Sequence, residues 1–395
     1  MHAIVTIVTI NGTFLVWYFG LRGLFPQLPI TSISLILMCG VLAVYVINGL
    51  SDRVRFRFSL IDLLFFVLFL FLFLVISFNY IFEGDIVDDD GRSIGRYHFI
   101  MITMFLSNYL LGRFFVPKVI IGSAMGVVGF VVVTLAVLCN VDFPNYAISL
   151  DGMESQDKGV YLALADIYAV GAIVAIASLR SHGYRILVSS ISVVCLFFLT
   201  SRGALYSFIF AIGVYMFLFL SFRVKVLALG LSVLVSALFF SEIINLLESN
   251  PRMAFIFGDY SSDASLVARG SLLDVGLKHI VENPLFGVYG GTIRDTGTLG
   301  GYIHSILSFW QQFGIIAFTL VVLIVMFPAI IAIFAVLVKP LEQRDSVDSM
   351  IILLGIFCLV MISFARSYTW AYLWIYAGFL GYYIMARLGS CSARQ

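Results

Sequence analysis

Two arginines and one histidine are the side chains of this sequence best suited to chemistry on an anionic substrate. Arg202 lies between two apolar runs, whereas Arg269 and His304 lie in the longest connection between such runs. Each also has a structural interpretation. Arg202 could reach the membrane surface with its charged end, Arg269 could be a surface charge on an amphipathic helix, and His304 could be a structural histidine. A guanidinium group, however, matches the oxygens of a phosphate, and an imidazole exchanges a proton near neutral pH. Together these residues indicate a site that binds phosphate and moves a proton.

The segment 301–314 surrounds His304 and is predicted to be helical. In a helix, His304, Ser308 and Gln311 share one face, because they are spaced at i, i+4 and i+7. Tyr302 lies two residues before the histidine. Tyr302 and Gln311 are therefore predicted to bind the substrate beside His304.

Two further charged residues lie in apolar runs, where an ionisable side chain is by default a candidate for function. Asp166 lies about two turns inside the outer end of its run and is predicted to support the arginine site. Arg366 lies near the outer end of another run and is predicted to be a further phosphate ligand. A helix carrying Arg269 is predicted over 263–281, because the Asn-Pro pair that follows would stop it.

The composition indicates which solvent surrounds these residues. The chain of 395 residues is 62% hydrophobic and 11% charged, whereas soluble domains carry roughly a quarter of charged residues. Its apolar runs are long and continuous, which predicts helices, since backbone groups in lipid must be satisfied within the segment. The predicted class is all-α, a polytopic integral membrane protein with about 12 transmembrane helices and one long outer loop.

The predicted spans form a single transmembrane domain, 1–395. They lie near 3–21, 30–50, 59–81, 98–116, 119–139, 160–179, 186–200, 203–221, 226–241, 313–338, 349–366 and 369–386.

The charged connections predict the orientation of the chain. Basic connections, one of which holds Arg113 and Lys118, alternate with acidic ones, so both termini are predicted to lie in the cytoplasm. The connection 242–312 is then outside, and loops much longer than about 15 residues are usually functional or disordered. The net charge of +1 is spread along the chain and indicates no nucleic-acid partner.

Four motifs occur in an order typical of one family. They are TSRG at 200–203, the loop arginine Arg269, ENPLFGV at 282–288, and the histidine segment 301–314 that ends in glycine. In this order and spacing they resemble the O-antigen polymerases and O-antigen ligases, a family of bacterial polysaccharide membrane glycosyltransferases. The resemblance covers 190–320; the other spans match only in hydropathy and number.

The resemblance implies a reaction at the periplasmic face of the bacterial inner membrane. The substrates would be undecaprenyl-pyrophosphate-linked oligosaccharides, with a chain-length regulator protein as a candidate partner. Arg202 and Arg269 would bind the pyrophosphate and stabilise its charge as it leaves. His304 would orient or deprotonate the attacking sugar hydroxyl, with inversion at the anomeric carbon. No metal and no other cofactor is implied.

Three functions stay open at this stage. A polymerase would join repeat units, whereas a ligase would move finished chains onto the lipid A core, and both need the same donor site. A lipid-linked sugar flippase or other transporter is the alternative of another class. Transporters tend to show repeats and ionisable groups at the midplane, whereas the basic residues here cluster outside. The basic residues therefore argue against a transporter, and the phenylalanine-rich, otherwise featureless chain resembles the polymerases, the more variable of the two groups, more than the ligases.

Overall fold

A computed structural model of the chain describes residues 8–19, 40, 43, 58–122, 125–143, 145–149, 161–249, 264–299 and 301–388. Most of these residues are helical. Two short strands, β1 (Val141–Asp142) and β2 (Ala147–Ile148), pair antiparallel. The predicted all-α class is confirmed for the described residues, whereas nearly all of the predicted span 30–50 and residue 263, the first residue of the predicted Arg269 helix, lie outside them.

The helices are numbered in chain order. They are α1 (Thr13–Phe19), α2 (Leu60–Phe82), α3 (Ile94–Leu110), α4 (Val116–Gly122), α5 (Met125–Leu138), α6 (Tyr161–Ser178), α7 (His182–Phe198), α8 (Arg202–Phe219), α9 (Phe222–Leu238), α10 (Phe240–Ser249), α11 (Ala264–Glu282), α12 (Gly291–Thr296), α13 (Leu307–Val321), α14 (Phe327–Leu337), α15 (Ser346–Phe364) and α16 (Leu373–Tyr383). Wider π-helical turns lie at Val8–Gly12, Leu111–Phe115, Val322–Met326 and Ile384–Leu388, and a 3₁₀ turn at Leu341–Gln343.

Six helical segments among the described residues are long and apolar enough to cross a membrane. They are Leu60–Phe82, Ile94–Ile120, Tyr161–Ser178, Arg202–Phe219, Leu307–Leu337 and Ser346–Phe364. Three shorter apolar helices accompany them, at Gly126–Leu138, His182–Phe198 and Leu373–Ala386. These helices support a multi-pass membrane protein.

The chain forms two compact units. The first unit comprises Met1–Ile33, Lys118–Asp263 and Ala335–Phe357, and the second comprises Ser34–Pro117, Ala264–Phe334 and Cys358–Gln395.

In the first unit, α6 is the central helix, with most of its side chains buried. It contacts α1, α5, α7 and α8. Short turns join α6 to α7 and α7 to α8, so the three helices run up and down, and α6 and α8 begin at the same end of the unit. The N-terminal parts of these two helices, which carry Asp166 and Arg202, therefore lie toward one end.

In the second unit, α2 begins with a capping box. The Ser59 hydroxyl accepts a hydrogen bond from the Asp62 backbone N–H, and the Asp62 carboxylate accepts one from the Ser59 N–H. From there α2 rises about 35 Å over its length to Phe82. The connection 83–93 joins α2 to α3, and we call the end of the unit that holds this connection the site end. The rise of α2 therefore separates the site end from the end that holds Asp62.

At the end that holds Asp62, an ion pair corrects one predicted boundary. The helix of α3 continues through the turn Leu111–Phe115 into α4, so Arg113 is buried within it rather than in a connection. The Arg113 Nε donates to the Asp62 carboxylate over 2.9 Å, and the Tyr109 hydroxyl donates over 2.6 Å. A paired arginine can lie inside a span, which the charge pattern alone does not reveal. Removing one partner of such a buried pair costs about 3–5 kcal/mol.

Candidate functional site

In the second unit, two of the predicted arginines, Arg269 and Arg366, act electrostatically on the predicted base, His304. His304 lies half-buried in the loop 301–306, Arg269 lies on α11, and Arg366 lies buried just after α15. Burial, and then the positive charges of Arg269 and Arg366, lower the pKa of His304 from 6.5 to about 4. At neutral pH this imidazole is therefore uncharged and can accept a proton, with two guanidinium groups acting on it.

The predicted helix over 301–314 is wrong in its first turns. Helix α13 begins at Leu307, so His304 lies in a loop and does not share a helical face with Ser308 and Gln311. The Ser305 hydroxyl accepts a hydrogen bond from the Leu307 N–H over 3.3 Å and helps to start the helix. The preceding loop is bonded to Gln311 within α13 and to Thr369, which lies far away in the sequence, and the second contact cannot be predicted from a local pattern.

Tyr302 and Gln311 both anchor the loop 301–306, which we call the histidine loop. The Tyr302 hydroxyl lies 3.1 Å from the Thr369 hydroxyl, in the loop that carries Arg366. The buried Gln311 accepts a hydrogen bond at Oε1 from the Ile303 N–H, over 3.2 Å. The structure thus gives both residues a positioning contact, and their predicted contact with substrate stays a prediction.

The ENPLFGV turn packs against the kink in α13 through two glycines. Gly287 and Gly314 both have positive φ angles, of 69° and 77°. A Cβ atom on Gly314 would lie 2.1 Å from the Leu285 carbonyl oxygen, and one on Gly287 would lie 2.6 Å from the Gly314 nitrogen. The Trp310 indole N–H also donates to the Pro284 carbonyl over 2.8 Å. The turn therefore docks closely onto the helix that follows His304.

His98 is a buried histidine that the sequence analysis did not select. Its Nδ1 lies 3.0 Å from the Tyr289 hydroxyl and its Nε2 lies 2.7 Å from the Tyr368 hydroxyl. Burial raises the pKa of both tyrosines, so both phenols stay protonated. The Tyr368 N–H in turn donates to the Ser308 hydroxyl over 2.7 Å. His98 thus fixes the loop of Arg366, and its place in a predicted span was the signal that could have identified it.

A cavity of about 900 Å³ lies at the site end of the second unit. Its wall comes from α2 and from the ENPLFGV turn, and its lining residues are Phe71, Leu74, Val75, Ser77, Phe78, Asn79, Glu83, Asn283, Phe286, Gly287, Val288, Tyr289 and Arg294. The lining is mostly apolar. Glu83 and Arg294 add an ion pair of 3.0 Å. The cavity can therefore take a hydrocarbon chain, with polar groups at hand for its head.

Arg202 and Asp166 belong to the first unit. Arg202 is the first residue of α8, where the helix dipole also favours an anion. Thr200, just before it, is buried and has a φ angle of 56°, which a residue other than glycine rarely adopts. Asp166 is buried in α6. Their predicted part in the site stays a prediction.

Comparisons with protein families and with curated proteins identify no relative of this chain. No protein-family model matches the chain, and no curated protein sequence matches it significantly. Among the described residues, no three His, Cys, Asp or Glu side chains form a group that could hold a metal ion.

Proposed function

We propose that this chain is an O-antigen polymerase, a membrane glycosyltransferase that joins oligosaccharide repeat units carried on undecaprenyl pyrophosphate. The observation that carries the proposal is the group of His304, Arg269 and Arg366, in which two cationic side chains act on a neutral histidine. Such a group offers a phosphate site and a proton acceptor together. The resemblance of the motifs supports the same reaction.

The arginines bind the departing group. An acceptor hydroxyl oxygen attacks the anomeric carbon of the donor sugar, the new C–O bond forms, and the bond to the lipid pyrophosphate breaks with inversion. Arg269 and Arg366 hold the pyrophosphate oxygens as their negative charge grows. Fixed cationic donors in a partly buried site are among the largest contributions to catalysis. This step needs no metal and no other cofactor.

His304 takes the proton of the attacking hydroxyl. Its pKa of about 4 in the substrate-free protein keeps the imidazole neutral, and therefore able to accept a proton, at physiological pH. A bound pyrophosphate brings negative charge that offsets Arg269 and Arg366, which raises the pKa of His304. The histidine therefore becomes a stronger base when the donor is bound.

The cavity at the site end supports a lipid-linked donor. Its wall is largely apolar, and Gly287 to Tyr289 of that wall belong to the turn that docks onto α13. The Val288 N–H donates to the Gln311 carbonyl over 2.8 Å, which joins the cavity wall to α13, the helix that follows His304. The hydrocarbon chain of the carrier would lie here, with its pyrophosphate toward the arginines.

The wider setting of the proposal combines the predicted spans and charge pattern with what the resemblance of the motifs implies. In this proposal the protein lies in the bacterial inner membrane with about 12 spans. Both termini lie in the cytoplasm and the loop 242–312 lies in the periplasm. Arg202, at the start of α8, would add a further phosphate ligand, with Asp166 in support. A chain-length regulator protein is the proposed partner.

The test is complementation of a strain that lacks this gene, read as the gel profile of its lipopolysaccharide. Loss of one fixed cationic donor should slow transfer about 100- to 1,000-fold. We therefore expect Arg269→Gln and His304→Gln to leave core capped by a single repeat. Lys278→Gln is the matched control, because Lys278 is an exposed cation on the same helix as Arg269.

Two other profiles would contradict the proposal. Long chains that stay on the carrier while the core remains bare would identify a ligase instead. A normal ladder from both variants, at expression equal to that of wild type, would remove these residues from the reaction and favour a transporter.

A further inference from the structure

A buried histidine on α11 is joined to the histidine loop by an unbroken series of hydrogen bonds. The His279 Nε2 lies 2.7 Å from the Asp295 carboxylate, and its Nδ1 lies 3.4 Å from the Gln311 side-chain amide. Gln311 Oε1 accepts from the Ile303 N–H, one residue before His304. The series therefore runs from α12 through α11 and α13 to the loop of the proposed base.

The hydrogen-bonding types fix the direction of every bond in this series. The Ile303 N–H can only donate, so the Gln311 oxygen must face it and the Gln311 NH₂ group must face His279. The His279 Nδ1 must then accept, which leaves the hydrogen of a neutral imidazole on Nε2. That hydrogen is donated to Asp295. Asp295 therefore favours the tautomer of His279 that carries its hydrogen on Nε2. In this tautomer Nδ1 can accept from the Gln311 NH₂ group, which leaves the Gln311 oxygen facing the Ile303 N–H.

Two glycines let the elements of this series approach closely. A Cβ atom on Gly276 would lie 2.3 Å from Ile303 Cγ1 and 2.9 Å from the Gln311 amide nitrogen. A Cβ atom on Gly291 would lie 3.1 Å from the His279 ring. Helix α11 thus packs closely against Ile303 and Gln311, which lie near His304. The same helix carries Arg269.

We infer that His279 and Asp295 are positioning residues, which hold His304 in place through Gln311. The inference rests on the proposed function, in which His304 is the base and Arg269 binds the pyrophosphate. Because Arg269 and His279 lie on one helix, the series also sets the placement of the base relative to that phosphate ligand. His279 itself does not contact substrate in this assignment.

The experiment compares His279→Leu and His279→Asn in purified protein supplied with a lipid-pyrophosphate-linked repeat. Misplacement of a catalytic group by about 1 Å costs on the order of 100-fold in rate. We expect His279→Leu to lower kcat by about that factor with little change in KM for the donor. His279→Asn should restore much of the rate, because its side-chain oxygen can still accept from Gln311. Lys278→Ala is the control on the same helix.

A second readout does not depend on turnover. Carbethoxylation of His304, followed by mass spectrometry of its peptide, should become faster in His279→Leu and stay near the wild-type rate in His279→Asn. Unchanged kcat and unchanged labelling in His279→Leu would overturn the inference, as would equal losses in the Leu and Asn variants. If wild type transfers no sugar at all, the proposed function fails, and the labelling rates alone still decide whether His279 positions His304.

Discussion

His304 combines a neutral imidazole with two neighbouring positive charges, and this combination explains both of its proposed properties. Burial and the charges of Arg269 and Arg366 disfavour the imidazolium. The same charges attract an anionic donor. Binding of the donor therefore offsets the charges and raises the affinity of the imidazole for a proton.

The pH dependence of His304 labelling follows from its pKa of about 4. Only the neutral imidazole reacts with diethyl pyrocarbonate, so between pH 7 and pH 5 the labelling rate should be nearly constant. Replacing Arg366 by Gln removes one positive charge and raises the pKa of His304, so labelling of Arg366→Gln should fall within this range as the pH falls. A wild-type rate that falls with a midpoint near pH 6.5 would show that neither burial nor the arginines lower the pKa of His304.

At the residue scale, the sequence predicts Arg269, Arg366 and His304 as site residues but does not predict the side chains that bond to the loops around them. Arg366 stands out as a charge in an apolar run, whereas Arg269 and His304 stand out through the order and spacing of the motifs. His98 and the pair of His279 and Asp295 did not stand out, since their partners lie far away in the sequence. Contacts of that range leave no local pattern.

At the scale of elements, continuous apolar runs and helix-stop residues predict the bounds of several helices closely. Helix α2 was predicted over 59–81 and is found at Leu60–Phe82, and the helix of Arg269 was predicted over 263–281 and is found at Ala264–Glu282. The boundary after α3 failed because Arg113 is neutralised by Asp62 inside the helix. The start of α13 failed because bonds from Gln311 and Thr369 hold the preceding loop.

The cavity between α2 and the ENPLFGV turn predicts the effect of a bulky substitution. Ser77 lines the cavity, so Ser77→Phe should exclude part of the carrier chain and raise KM for a long-chain lipid donor about tenfold, or about 1.4 kcal/mol. A donor with a short prenyl chain should be unaffected. Leu70→Phe is the control, because Leu70 is exposed on α2 and is not among the lining residues. Equal KM values for both donors in Ser77→Phe would argue against a lipid chain in this cavity.

At the scale of the whole molecule, the chain is a multi-pass helical membrane protein whose chemistry is proposed to lie on one face. Two spans of the second unit, α2 and α3, meet at the connection 83–93, and the Glu83–Arg294 ion pair ties α12 to this site end. The site is therefore carried by loops on a frame of long helices. Such an arrangement suits a substrate whose lipid stays in the membrane while its sugars stay in water.

The most direct test of the proposed function is sugar transfer by the purified protein in liposomes. Lipid-pyrophosphate-linked repeat would be the only substrate, and products would be separated by length while released lipid pyrophosphate is measured. We expect a ladder of two or more repeats with one lipid pyrophosphate released for each bond formed, and loss of both signals in Arg269→Gln but not in Lys278→Gln. No ladder from folded wild type, or a product that forms only when lipid A core is added, would contradict a polymerase.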